Sequence, residues 1–308
     1  LIRISLLPPA SDRRVMYGGD VGYRQAGKLM GMDAMATAGV QVRVDDIQPK
    51  LGIQTKRSPT GTTTDSDVLE ASYSPFVKIE VQPTPWMRFA GGLRSDTFTF
   101  DVRNRCETCA EQPAGRKTSS LVLPKANLIL GPWFKTELFA NYGEGFHSND
   151  ARAAVGGAAS PLARARTYEV GARARPWGPD GMELLATLWA IDINSELVFV
   201  GDEGTTEARG PTKRRGMEVA ARGPIWGPLS FNGSVTWTSA KFDTGDKIPL
   251  APELTAYGAA ILQWPKGLTT QLQVTFLGVR PLTEDNSIKA TSWLDFDLTM
   301  RYKLPVKL

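Results

Sequence analysis

The sequence is poor in the residues that usually carry chemistry. Its 308 residues include one histidine, His147, and two cysteines, Cys106 and Cys109. A zinc site built on this Cys-x-x-Cys would need two more ligands, and only one histidine remains to supply them. A thioredoxin-like redox pair would need a βαβ setting, which the residue pattern lacks. The expectation is a small disulfide that pins a loop in an oxidising compartment. No run of 18 apolar residues occurs, so no helix can span a membrane. That exclusion does not reach β-barrels, whose strands are short and alternating. No apolar stripe at 3.6-residue spacing lasts three turns, so almost no helix is expected. Basic residues are scattered, with a net charge of +4 and a pI near 9.0. Without a dense Lys/Arg block, nucleic acid is not an expected partner. Nothing repeats at 20–50 residues, which excludes a propeller. Residues 1–8 lack the basic start and cleavage site of a secretory signal, and the chain reads as beginning in mid-protein.

What is present is period two. Leu294, Phe296, Leu298, Met300, Tyr302 and Leu304 share one face, and Asp295, Asp297, Thr299, Arg301 and Lys303 share the other. Leu229, Phe231, Val235 and Trp237 alternate with small polar residues, as do Leu272, Val274 and Phe276. Val40, Val42 and Val44 alternate with Gln41, Arg43 and Asp45. The pattern predicts an all-β chain of roughly fifteen strands, near 2–7, 13–25, 34–46, 50–57, 68–82, 86–103, 119–130, 135–147, 165–175, 182–199, 214–222, 229–240, 253–263, 268–279 and 292–304.

From residue 50 onward the connections alternate between short and long. The short ones lie at 82–86, 131–133, 175–181, 223–228 and 263–267; the long ones at about 58–66, 104–118, 148–164, 200–213, 241–252 and 280–291. Short turns at one end and long loops at the other is the asymmetry of outer-membrane barrels. Each short turn carries a tryptophan: Trp86, Trp133, Trp177, Trp226 and Trp264. An indole suits the membrane–water interface, with an apolar body and one N–H that seeks water, so the five are expected to form a girdle. Trp237 and Trp293 lie beside long loops, at the opposite rim. A soluble sandwich with tryptophans capping its core fits the alternation equally well, but fifteen strands would overfill one sandwich.

The residues weighed for chemistry lie in loops. Adjacent Ser148 and His147 point to opposite faces of a strand, and no G-x-S-x-G occurs, so no enzymatic activity is expected. Asp202, Glu203 and Glu207 form an acidic cluster without EF-hand spacing, read as a solvated loop. Arg152, Arg164 and Arg166 flank a Gly/Ala-rich loop and could meet an anionic ligand. His147, Asn149, Asp150, Arg152 and Arg164 are the candidate ligand or loop residues; no metal or cofactor is expected. Inner-face charges such as Glu169, Arg173, Glu218 and Arg222 are expected to pair across strands.

Several motifs then fall in order. Tyr142-Gly-Glu-Gly-Phe-His-Ser-Asn-Asp150 closes a strand and opens a loop. Gly92-Leu-Arg94-Ser-Asp96-Thr-Phe98 reads G-x-R-x-D-x-F, Tyr168 to Arg173 reads Y-E-x-G-x-R, and Arg215 to Glu218 reads R-G-x-E; Ala190 to Val200 also fits this series. This set resembles the barrel of TonB-dependent outer-membrane receptors. The resemblance implies a transmembrane antiparallel β-barrel, of which residues 1–308 are roughly fifteen of twenty-two strands, with no plug domain and no TonB box. It further implies a receptor in the bacterial outer membrane that binds a scarce ligand, such as a ferric siderophore or cobalamin, and imports it through TonB. Its partners would be its own plug domain, TonB, outer-membrane lipid and lipopolysaccharide, and a small extracellular ligand. A passive porin-like channel and a soluble all-β binding protein are the alternatives, followed by an outer-membrane hydrolase. An open sheet with two unpaired edges is not expected to be stable as an isolated monomer.

Overall fold

Strict alternation yields strands because it lets one face of each strand be apolar without burying charge on the other. The computed structural model describes residues 10–55, 58–107, 109, 112–200 and 205–304. The strands are β1 (Ala10–Leu29), β2 (Met32–Thr55), β3 (Ser58–Thr84), β4 (Met87–Asn104), β5 (Gly115–Trp133), β6 (Thr136–Ser148), β7 (Leu162–Ala174), β8 (Glu183–Ile193), β9 (Glu196–Val200), β10 (Thr205–Arg209), β11 (Thr212–Trp226), β12 (Leu229–Phe242), β13 (Leu254–Gln263), β14 (Leu268–Leu277), β15 (Arg280–Pro281), β16 (Lys289–Ala290) and β17 (Trp293–Tyr302). Thirteen form one antiparallel sheet in the order β1-β2-β3-β4-β5-β6-β7-β8-β11-β12-β13-β14-β17. The pairs β9–β10 and β15–β16 are separate small hairpins within long loops. The sheet is a barrel wall that does not close: among the described residues β1 and β17 each pair on one side only.

Three expectations need correction. The segments at 34–46 and 50–57 are one strand, β2, and the supposed long loop at 58–66 is the start of β3. Its β-branched threonines suit a strand, and their hydroxyls hold the partner: Thr60 Oγ1 donates to Ile53 O at 3.3 Å and Thr63 Oγ1 to Leu51 O at 3.0 Å. The register slips at Leu51/Gly52 and Ile53/Gln54, so the hairpin carries irregularities that blur its period in the sequence. The segment at 182–199 divides into β8 and β9. The strand placed at 2–7 lies outside the described residues.

Register carries one apolar surface across the whole sheet. Tyr23 lies opposite Ala38, Ala38 opposite Val77, Val77 opposite Leu93 and Leu93 opposite Pro124. Further on, Ala140, Val170, Leu188, Met217, Trp237 and Leu254 follow one another strand by strand. Most of these side chains are exposed, as is Leu298 of β17: Val77 is 55% accessible, Leu188 56% and Leu298 66%. The buried apolar cluster instead lies on the opposite, inner face at the loop end, around Ile47, Val68, Phe100 and Val102. A protein folded for water would invert this arrangement.

The inner face is held by charge. Glu137 takes Arg88 and Arg173, and Glu183 takes Arg175 at 2.5 Å and Arg222 at 2.7 Å. Each carboxylate bridges two strands. Arg94 and Asp96 of the G-x-R-x-D-x-F motif share this face, with Arg94 Nε 2.9 Å from both carboxylate oxygens and Ser74 Oγ donating to Asp96 at 2.6 Å. Two of the motif glycines have a steric role. Gly171 of Y-E-x-G-x-R is paired directly with Phe139, and Gly216 of R-G-x-E with Trp189. A Cβ at Gly171 would meet the Phe139 ring, and one at Gly216 would sit 2.5 Å from an indole carbon. Each ring lies over the glycine across the strand gap, and so covers backbone that a side chain would otherwise shield.

Gly216→Val should therefore force Trp189 off its position at a cost of about 1–3 kcal/mol. In detergent the variant's thermal midpoint should fall, and adding Trp189→Ala should recover part of the loss. If the double variant is less stable than Gly216→Val alone, this account of the motif glycine fails.

Candidate functional site

The long loop after β6 does not stand free. Asp150 caps a short helix, α1 (Ala151–Val155), its Oδ1 accepting from Arg152 N at 2.8 Å and from Ala153 N at 3.4 Å. The helix follows from the sequence, because Ala-Arg-Ala-Ala behind an Asp combines a good cap with good helix formers. Ala151 and Ala154 are small enough to press against the sheet, and both are buried. Ala151 joins Leu162 in the cluster with Ile47, Val68, Phe100 and Val102, flanked by Phe98, Leu121, Phe146 and Val155. Phe98 meets Phe146 edge-on at 5.4 Å. Lys117 Nζ donates to Ala154 O at 3.1 Å and ties down the end of the helix. The loop is thus folded inward over the inner face of β3, β4 and β5.

Between this loop and β1–β3 lies a polar cavity of about 380 Å³. Asp12, Arg14, Arg43, Asp45 and Glu70 line it from β1–β3, Ser148 from the end of β6, and Asn149, Asp150 and Arg152 from the loop. Arg43 grips Asp45 at 2.7 and 3.0 Å. Arg152 grips Asp150 at 3.1 and 2.6 Å. Burial, and then Asp45 across the strand gap, push the Glu70 carboxyl above its ordinary range. Burial would also raise Asp150, but its bonds to Arg152 and to backbone N–H groups outweigh it and leave the carboxyl below its ordinary range.

Three of the candidate residues therefore meet at one place: Asn149, Asp150 and Arg152. Arg164 is held elsewhere, 2.5 Å from Glu144, which also takes Arg166 at 3.3 Å and Tyr142 Oη at 2.5 Å. His147 is exposed and outside the cavity lining. The inner-face charges divide similarly: Arg173 and Arg222 pair across strands, while Glu169 accepts from Asn141 at 3.0 Å. Asp202 and Glu203 lie outside the described residues, as does the side chain of Glu207. Cys106 and Cys109 are joined in a disulfide at the tip of the β4–β5 loop, with Cα atoms 5.4 Å apart. Trp86, Trp133, Trp177, Trp226 and Trp264 are exposed at the short turns, and the rings of Trp86 and Trp133 lie 5.9 Å apart. The sequence reading missed Asp12, Arg14, Arg43, Asp45 and Glu70, which are ordinary polar positions of alternating strands until register brings them together.

Asp150→Ala should cost the loop about 1 kcal/mol, seen as faster amide exchange at Ala151–Val155 with the strand ladder unchanged. The pH dependence has a definite sign. Asp150's folded value lies below its unfolded value of about 3.9, so its contribution is complete above about pH 4 and is lost as pH falls through the folded value. Protection of α1 should be flat from neutral pH to about 4 and drop only in stronger acid. A drop between pH 7 and 5 would contradict this assignment.

The family model described as TonB-dependent receptor-like, β-barrel, matches residues 9–308. Among solved structures, the siderophore receptor PiuA from Acinetobacter baumannii superposes with a TM-score of 0.78 at 15% identity, covering 96% of this chain and 50% of that one. The ferric citrate transporter FecA gives 0.77 at 16% identity, covering 97% and 48%. The ferric-catecholate import receptor Fiu from E. coli K12 gives 0.73 at 14% identity, covering 96% and 49%. The chain spans about half the length of these receptors, and at such identities the likeness shows the fold alone. No curated protein matches.

Proposed function

The chain belongs to the TonB-dependent receptor β-barrel family, and from that premise we propose that it is part of an outer-membrane receptor that imports a scarce ligand with energy delivered through TonB. The observation that carries the reading beyond the family is the pairing of an exposed apolar outer face with a charged inner face that ends in a polar cavity under an inward loop. The outer face suits lipid. From Thr84, at the turn that carries Trp86, to Tyr73 the strand β3 runs eleven residues, about 36 Å at ~3.3 Å per residue. A tilt of about 40° reduces this to ~28 Å, near the apolar band of ~25 Å in outer-membrane barrels. Tyr73, Tyr142, Tyr168 and Trp237 form the loop-end aromatic rim, and the five turn tryptophans form the periplasmic girdle. The inner face meets a plug domain, and the basic residues beyond the loop-end rim meet lipopolysaccharide. The long loops face outward and take the ligand, a metal chelate of the ferric-siderophore kind or cobalamin. Family members and structural neighbours are receptors and transporters, and no catalytic step is assigned.

Two experiments test this. Cells that express the full receptor under metal limitation should gain uptake from a panel of ferric siderophores, ferric citrate, cobalamin and copper, and deletion of TonB should abolish it. Uptake that persists without TonB, with steady conductance in planar bilayers, would replace the receptor with a passive channel. In vesicles, lipids brominated near the headgroup should quench Trp86, Trp133, Trp177, Trp226 and Trp264 more than lipids brominated at mid-chain. The reverse order would remove the girdle.

A further inference from the structure

Among the described residues, the cavity under the inward loop holds more carboxylates than guanidinium groups. Asp45 and Glu70 stand directly opposite each other across β2 and β3, an arrangement in which like charges repel. Arg43 is spent on Asp45, Arg152 on Asp150, and Arg14 lies 3.5 Å from Asp12. Glu70 has no hydrogen bond or salt bridge among the described residues. Four carboxylates thus share three guanidinium groups, and the excess negative charge falls at Glu70. An independent feature comes from the loop. Asn149 lines the same cavity and is only 4% exposed. Its amide nitrogen donates to Ser160 O at 2.5 Å, but its side-chain carbonyl has no donor. A buried polar atom without a partner costs stability that a bound donor would recover.

We propose that this cavity binds a cationic hydrogen-bond donor, an ammonium or guanidinium group, seated between Glu70 and Asp45 and beside Asn149. The fourth positive charge balances the fourth carboxylate and relieves the Asp45–Glu70 opposition. An organic cation fits better than a metal ion, since among the described residues no group of three His, Cys, Asp or Glu side chains is placed to hold one. The volume of about 380 Å³ admits a short alkyl chain behind the charged head. The assignment rests on the receptor reading and narrows its ligand site. The cation has two sources: a basic group on the imported molecule, or a lysine or arginine of the plug.

The test uses the full-length receptor in detergent and the fluorescent amine dansylcadaverine. Wild type should bind the probe saturably. Glu70→Gln should weaken binding by about tenfold or more, as expected for loss of a charge-assisted bond. Glu70→Asp, which keeps the charge, should stay within about threefold of wild type and shows that Gln acts through charge rather than misfolding. Amide exchange of the plug's apical loops, read in the same proteins, separates the sources. Faster plug exchange in Glu70→Gln, with no probe binding to wild type, places a plug side chain in the cavity. If neither probe affinity nor plug exchange distinguishes Glu70→Gln from wild type, the proposal is overturned. The TonB dependence of uptake is a separate readout: its absence would end the receptor reading and leave a positive binding result standing.

Discussion

Everything in this structure depends on the continuity of the antiparallel backbone ladder. In a lipid setting no water reaches a strand's N–H and C=O groups, so each strand must find both its partners in protein. That requirement produces the simple order of neighbours, in which every strand of the main sheet pairs with the next in sequence except where the β9–β10 and β15–β16 hairpins intervene. The ladder also explains why register is tightly specified. A slip of one residue would turn Val77, Leu188 and Leu298 inward and send Glu137 and Glu183 to the apolar face.

Given that ladder, the inner face away from the loop-end cluster has to manage charge and space without an apolar core. Charge is managed by sharing: Glu137 serves Arg88 of β4 and Arg173 of β7, and Glu183 serves Arg222 of β11 and Arg175 just past the end of β7. Space is managed by pairing large with nothing. Phe139 lies over Gly171 and Trp189 over Gly216, so these two motif glycines mark places where a ring crosses the strand gap. These pairs account in physical terms for motifs that otherwise appear as bare letters.

The loop end follows a different logic. There β2, β3 and β4 extend beyond the aromatic rim, and their inner faces turn apolar at Ile47, Val68, Phe100 and Val102. This patch needs a cover, and α1 with Leu162 provides it. Covering the patch brings Asn149, Asp150 and Arg152 down to the charged row on β1–β3 and forms one wall of the cavity. The ligand site proposed here is therefore a by-product of apolar packing next to it. The disulfide between Cys106 and Cys109 tightens the neighbouring loop tip.

How much of this could be read from the chain follows from what period two encodes. Alternation at 229–238 and 294–304 reveals strands and two faces, because side-chain direction in a strand is a local property. Turn chemistry is local as well, so the short and long ends, with their tryptophans, were legible without any fold. Where local signals mix, as at 60–64, the residue pattern reads as a loop although the ladder makes it a strand. The charged cavity was not legible. Alternation says which face Asp45, Glu70 and Arg14 occupy, but not how far along the sheet each one sits. That depth is set by the offset between strands, which arises only when the ladder forms. Most strands, their two faces and the tryptophans of the short turns can be read from the chain alone, since each depends on neighbours a few residues away. That Asp45 opposes Glu70, and that Asn149 lines the same cavity, follows only from the assembled sheet. Those contacts join residues far apart in the chain, and register and the inward loop together put them in place.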